Sequence, residues 1–220
     1  MDELSGYLRT TFRIGEGRIG LDIDSVVADV ITPLKDTYNK RHGTNYTLDG
    51  ADNTPRWGRD GPGAAMNREE FLGIYSELWM KQLPGLLLNP ELLEEAATYY
   101  LIDVVTARSD DTVPPLKIWL SNNRVSGFEE LISAPGIDKS ELPHRLNIDD
   151  DPKLAKKLDG MSEKFLLLTD IDYWNGSTAG ENNIPNSANV LRVKNVNHGL
   201  ELLIRHSEAE GIKPRRKVLG

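Results

Sequence analysis

Three features of the sequence predict an α/β fold: a Rossmann-like, mainly parallel sheet flanked by helices. Apolar strand-like runs alternate with helical segments from Arg18 onward, as they do when crossover helices join parallel strands. Most connections are short, which suits right-handed crossovers and places the strands' C-terminal ends on one rim. One interval is long and carries helical patterning of its own, which predicts a small, mostly helical cap inserted after the first strand.

The strand candidates are Ile19 to Ile23, Ile102 to Thr106, Phe128 to Ser133, Arg145 to Ile148 and Lys164 to Thr169, with Asn189 to Val193 as a further edge strand. Between them, Pro90 to Tyr100 carries Leu92, Leu93, Ala96 and Ala97 at helical spacing. Asn89 is its expected N-cap, with Pro90 at the first helical position. Leu116 to Asn122, Pro152 to Leu158 and Val196 to Glu210 are the other helices expected in the core. About eighty residues separate the first two strands, far more than one crossover needs. Within this interval Thr32 to Lys40 and Arg68 to Lys81 read as helices around the stretch LDGADNTPRWGRDGPGAA. The expected division is a core of residues 1–30 and 89–220 and a cap of residues 31–88.

Composition narrows the function. A formal net charge of −8 disfavours a broad nucleic-acid or membrane surface, because such surfaces are usually basic. The basic run Lys213-Pro214-Arg215-Arg216-Lys217 reads as a solvated tail. With no cysteine, disulfides, thiolate metal sites and a cysteine nucleophile are excluded. No apolar run is long enough to span a bilayer, and the acidic start Met1-Asp2-Glu3-Leu4 does not read as a signal peptide. A cytoplasmic location is expected, and a homo-oligomer is left open.

The chemistry is expected at strand ends. In RIGLDIDSVVADV, Asp22 and Asp24 occupy positions where a buried strand should hold aliphatic residues, and buried carboxylates are costly unless paired or metal-bound. Side chains two apart on an extended strand share a face, so both can reach one pocket. One carboxylate could act as a nucleophile and the other as acid and base; a turn or a capping pair fits D-x-D equally well. In VVTARSD, the Thr106 hydroxyl and the following backbone N–H groups can hold phosphate oxygens, so Thr106, Ala107 and Arg108 are candidate substrate-binding residues. Lys139 supplies a point charge. In LNIDDDP, Asp149 and Asp150 offer hard oxygen ligands of the kind Mg²⁺ takes, while Asp151 fits an N-cap for the helix at Pro152.

The order of these features resembles the haloacid dehalogenase-like phosphatase superfamily, whose motifs run hhhDxDxx, hhhT/S, Lys and an acidic pair (h is hydrophobic). Here they read IGLDIDSVVADV, DVVTAR, Lys139 and NIDDDP. Within it the chain resembles the 5'(3')-deoxyribonucleotidase branch. The V-x-A-D tail of the first motif, the lysine ten residues before the acidic pair and the loop Tyr173-Trp174-Asn175 carry that likeness. The resemblance covers Arg18 to Asn175. Two departures are Ser25, where Gly is common, and the Thr-Ala-Arg continuation of the second motif.

The resemblance implies a Mg²⁺-dependent phosphomonoesterase working on a small phosphorylated substrate. Asp22 would attack phosphorus, and Asp24 would protonate the leaving oxygen and then activate water. Mg²⁺ would be held by the Asp22 carboxylate, the Asp24 backbone carbonyl and Asp149 or Asp150, while Thr106 and Lys139 would hold the phosphate. A nucleoside monophosphate is one expected substrate class; sugar phosphates or other small phosphoesters are the alternative. A catalytically weak phosphate-binding or scaffold protein is an alternative of another class, disfavoured by the presence of both aspartates. On the cap, Arg56, Trp57 and Arg59 are candidates to meet the leaving group, with Trp57 stacking on a base or else packing the cap's own core. Asp29 is expected to serve as a hinge or cap.

Overall fold

The computed structural model describes residues 17–48, 57, 66–109, 112–159, 161, 163–169, 187 and 189–215. Strands β1 (Arg18–Asp22), β4 (Leu101–Thr106), β5 (Leu131–Ser133), β6 (His144–Asp149), β7 (Phe165–Thr169) and β8 (Val190–Val193) form one six-stranded sheet. Its order is β5-β4-β1-β6-β7-β8, and every neighbouring pair is parallel. The expected edge strand is thus real. The direction of winding reverses between β1 and β6, and open α/β sheets bind ligands in the crevice above such a switch point.

Helices α3 (Pro90–Tyr99), α4 (Val113–Asn122), α5 (Pro152–Leu158) and α6 (Val196–Ala209) flank this sheet. Their starts follow the local chemistry. Asn89 accepts from the Glu91 amide and Asp151 from the Lys153 amide, each with proline in the first turn, while Asn195 accepts from the His198 amide. Buried aliphatics of β1, β4, β6 and β7 make the core with Leu93, Ala96, Trp119, Leu200 and Leu203.

The long excursion leaves the sheet after β1. It is closed at its base by a two-residue ribbon not anticipated in the sequence, β2 (Ala28–Asp29) paired antiparallel with β3 (Gly85–Leu86). Helices α1 (Ile31–His42) and α2 (Arg68–Met80) follow within it. Asp29 Oδ1 accepts from the Thr32 amide at 3.0 Å, so Asp29 caps α1 as expected. Leu34, Trp57, Ile74 and Leu78 form a separate small core in the excursion, joined by Tyr38 and Tyr46.

A second polar cluster lies at the opposite end of the sheet from Asp22. Asp103 is fully buried and accepts two hydrogen bonds from Arg18, each 2.5 Å long. Burial lowers the pKa of His144, and its Nε2 lies 3.0 Å from Asp103, a carboxylate that can only accept, so Nε2–H is the donor. Burial alone would raise the Asp103 carboxyl, but Arg18 and His144 outweigh it and hold the pKa below the ordinary value. Gly20 makes room for this arrangement, since a Cβ there would sit 2.6 Å from Asn147 Oδ1 and 3.1 Å from the His144 ring. Breaking a buried pair leaves an uncompensated group behind. Asp103→Ala is therefore expected to lower unfolding free energy by about 3 kcal/mol in urea titrations, with the site at the other sheet end unaffected.

Candidate active site

Parallel pairing sets the site. Asp22 ends β1 and Asp149 ends β6, the two strands that flank the switch point. Beyond Asp22 the chain turns tightly: the amides of Val27 and Ala28 both donate to the Ile23 carbonyl, and the Ser25 amide donates to Ala28 O at 2.8 Å. Ser25 itself sits at φ 67°, a left-handed conformation that glycine adopts at lower cost. This turn projects Asp24 into the same cleft as Asp22.

Lys139 stands on a short 3-10 turn, Lys139–Glu141, whose N-cap Asp138 accepts from the Ser140 amide. Its ammonium donates to Asp22 Oδ1 at 2.6 Å and to Asp149 Oδ2 at 2.7 Å. Asp149 Oδ1 accepts from the Asp151 amide at 2.9 Å, so both of its oxygens are engaged. Asp150 lines the cleft instead. Ligand oxygens of Asp22, Asp149 and Asp150 all lie within 4.8 Å of one another.

The electrostatics are those of a crowded anionic centre. Burial pushes the Asp22 carboxyl up to about 7; Lys139 opposes this, while Asp149 and Asp24 add to it. Burial, followed by repulsion from Asp22 and Asp149, raises Asp150 well above its ordinary value. Burial disfavours charge on Lys139, but Asp22 and Asp149 outweigh it and raise its pKa. Three carboxylates beside one lysine leave excess negative charge, which a divalent cation would neutralise. The oxygen-only donor set and its spacing fit Mg²⁺.

Asp24 is held by different partners. Arg108 Nε and Nη2 donate to its two oxygens at 3.1 and 2.5 Å, and the Tyr75 hydroxyl of α2 donates to Oδ2 at 2.6 Å. The Arg108 guanidinium lies 3.6 Å from the Trp79 ring centroid and 5.3 Å from that of Tyr75. Its backbone is fixed as well. The Arg108 amide donates to Thr106 Oγ1 at 3.3 Å, and Ser133 Oγ donates to the Arg108 carbonyl at 2.8 Å.

A cleft of about 780 Å³ opens over these groups. Asp22, Asp24, Ala107, Arg108, Lys139 and Asp150 line one side, and Arg68, Phe71, Leu72 and Tyr75 of α2 line the other. The structure thus brings together nearly all the residues expected from the sequence. Thr106 is an exception in detail: it is fully buried and outside the cleft lining, with its hydroxyl engaged in shaping the Arg108 loop.

Trp57 requires a correction. It is 2% exposed and packs edge-on to Tyr38 and Tyr46, with ring centroids 5.3 and 6.4 Å away. A large apolar ring gains more from that enclosed cluster than from a half-wet cleft wall, so Trp57 supports the excursion's core and lies outside the cleft lining. Arg56, Arg59 and the Tyr173-Trp174-Asn175 loop lie outside the described residues. The aromatic wall belongs instead to Phe71 and Tyr75, stacked with centroids 5.6 Å apart. Their i, i+4 spacing on α2 was the available signal.

No helix among the described residues is long and apolar enough to cross a membrane. The sequence matches no protein-family model and no curated protein. Solved structures do resemble it. A haloacid dehalogenase-like family hydrolase from Streptococcus pneumoniae is 15% identical, covering 70% of this chain and 84% of its own, with a TM-score of 0.46. A subfamily IA hydrolase of the same superfamily from Geobacter sulfurreducens is 16% identical over 84% of this chain and 98% of its own, with a TM-score of 0.48. A phosphatase from Thermococcus thioreducens is 13% identical over 86% of this chain and 99% of its own, with a TM-score of 0.46. These neighbours are haloacid dehalogenase-like hydrolases and a phosphatase, and at such identities and scores the reading of function rests on this chain's own site.

Proposed function

We propose that the protein is a Mg²⁺-dependent phosphomonoesterase of the haloacid dehalogenase-like type. The observation that carries the reading is the convergence of Asp22, Asp149 and Asp150 at the sheet's switch point, the first two bonded to Lys139, with Asp24 two residues beyond the nucleophile candidate. Asp22 and Asp150 would hold the metal, together with the Asp24 backbone carbonyl that the superfamily resemblance implies; Asp149 is the less suited ligand because Lys139 and the Asp151 amide engage it. Mg²⁺ when bound supplies charge neutralisation for the phosphate and the carboxylates around it.

Asp22 then attacks phosphorus in line, forming an O–P bond as the bond to the leaving oxygen breaks. Asp24 gives that oxygen a proton. A water molecule next attacks the aspartyl-phosphate, passes its proton to Asp24, and releases phosphate and free Asp22. Lys139 and the backbone at Ala107 and Arg108 would hold phosphate oxygens, a task made mainly of positioning and electrostatics.

The stacked Phe71 and Tyr75 beside Leu72 favour a leaving group with a flat or apolar face, such as a nucleoside, over a bare sugar. That wall supports the nucleotidase reading in place of Trp57.

With p-nitrophenyl phosphate and Mg²⁺, Asp22→Asn is expected to lower kcat by about 10³-fold or more, and unchanged turnover would reject the nucleophile. Asp24→Asn should turn over slowly while still binding phosphate. In a substrate panel, nucleoside monophosphates should surpass sugar phosphates in kcat/KM; the reverse ranking would reject the nucleotidase reading and leave the chemistry standing.

The cluster also predicts a pH dependence of stability. Asp22 has a folded pKa of about 7 against 3.8 ordinarily, so the folded state binds its proton more tightly and stability falls as pH rises through that window. In chelator, Asp22→Asn should therefore melt above the wild type near about pH 8, with the gap closing toward about pH 4. Mg²⁺ should raise the wild-type Tm at the higher pH and the variant's far less. A gap that widens on acidification would contradict this electrostatic account.

A further inference from the structure

Both oxygens of Asp24 are bound by Arg108, yet Asp24 must be available to the leaving group if the phosphatase reading is right. We propose that Arg108 is a shared cation, paired with Asp24 before substrate binds and transferred to the substrate phosphate when one does. The inference rests on that phosphatase reading and assigns a partner exchange to one residue of the site.

Arg108 is built for two partners. Its side chain is only 3% exposed, and it lines the same cleft as Asp22 and Lys139. Nε and Nη2 serve Asp24, while Nη1 is buried without a hydrogen-bond partner among the described residues. A buried donor left unpaired is costly, so the guanidinium gains from an acceptor that engages more of its fork. A phosphate offers such oxygens, and paired N–H donors of arginine match them.

The surroundings permit the move. The guanidinium face rests on Trp79 at 3.6 Å, and attraction between a cation and a ring face does not depend on which edge of the cation makes hydrogen bonds. Trp79 is itself fixed, 1% exposed and packed edge-on to Trp119 at 5.5 Å. Arg108 can therefore turn in its plane on a fixed surface. Asp24 is not abandoned when it does so, because the Tyr75 hydroxyl holds Oδ2 independently at 2.6 Å. Electrostatics drive the exchange: Lys139 must divide its ammonium among Asp22, Asp149 and the phosphate, so an arriving phosphate gains from a second enclosed cation, Arg108.

Asp24 and phosphate then compete for one cation, and a double-mutant cycle reads that competition directly. Binding of inorganic phosphate with Mg²⁺ is measured by calorimetry at one fixed pH on the full chain, for wild type, Asp24→Asn, Arg108→Met and the double variant. Removing the competitor should tighten phosphate about tenfold in Asp24→Asn, and Arg108→Met should weaken it about tenfold. In the Arg108→Met background the gain from Asp24→Asn should shrink to about twofold, the residue of simple charge removal. Arg108→Lys keeps the charge but loses the fork, and provides a second cycle with intermediate coupling should Arg108→Met fold poorly.

An equal gain in both backgrounds would overturn the exchange, as would a phosphate affinity indifferent to Arg108. If wild type hydrolyses p-nitrophenyl phosphate but the cycle is additive, only the exchange fails. A wild type that neither binds phosphate nor hydrolyses the ester would overturn the exchange and the phosphatase reading together.

Discussion

Lys139 Nζ reaches Asp22 at 2.6 Å and Asp149 at 2.7 Å in a pocket where a third carboxylate, Asp150, also converges. Without that ammonium, anionic groups at the ends of two adjacent parallel strands would repel one another in a largely buried site. With it, the cluster is held together, yet burial first and repulsion among the carboxylates second still raise the pKa values of Asp22 and Asp150. A site in that condition favours a hard cation and has a local reason to accept a phosphate once the cation is bound. The protein's overall acidity is no obstacle, because the local balance decides.

The architecture supplies the convergence. Parallel strands deliver their C-terminal ends to one rim, and the winding reversal leaves β1 and β6 as the neighbours beneath the crevice. The excursion after β1 supplies the facing wall. Its helix α2 does two jobs at once: Tyr75 holds Asp24 and Trp79 backs Arg108. Trp119 fastens the same region to the sheet domain, meeting Trp79 edge-on and donating from Nε1 to the Pro84 carbonyl at 2.8 Å.

The parts legible in the sequence were those that broke a local pattern. Asp22, Asp149 and Asp150 interrupt or end apolar runs, and proline after Asn89 and Asp151 marks helix starts whose caps have the expected bonds. The ribbon of β2 and β3 has two residues per strand, too few to show a period. Tyr75 and Trp79 were missed because their partners lie far along the chain; Asp24 and Arg108 are separated by 84 positions, and Tyr75 from Asp24 by 51. Trp57 shows the converse hazard, since an aromatic in a cap reads the same whether it faces ligand or core. Asp103 was detectable on the argument used for Asp22, as a carboxylate inside the buried run LIDVVT, yet its partners Arg18 and His144 mark it as structural.

The central claim is that Asp22 bonds covalently to the transferred phosphoryl group. The direct measurement is acid-quenched mass spectrometry of Asp24→Asn after incubation with p-nitrophenyl phosphate and Mg²⁺, followed by peptide mapping. The account predicts a phosphoryl adduct that accumulates on Asp22, because hydrolysis of the intermediate needs Asp24. An adduct on another residue, or turnover with no adduct at all, would contradict it.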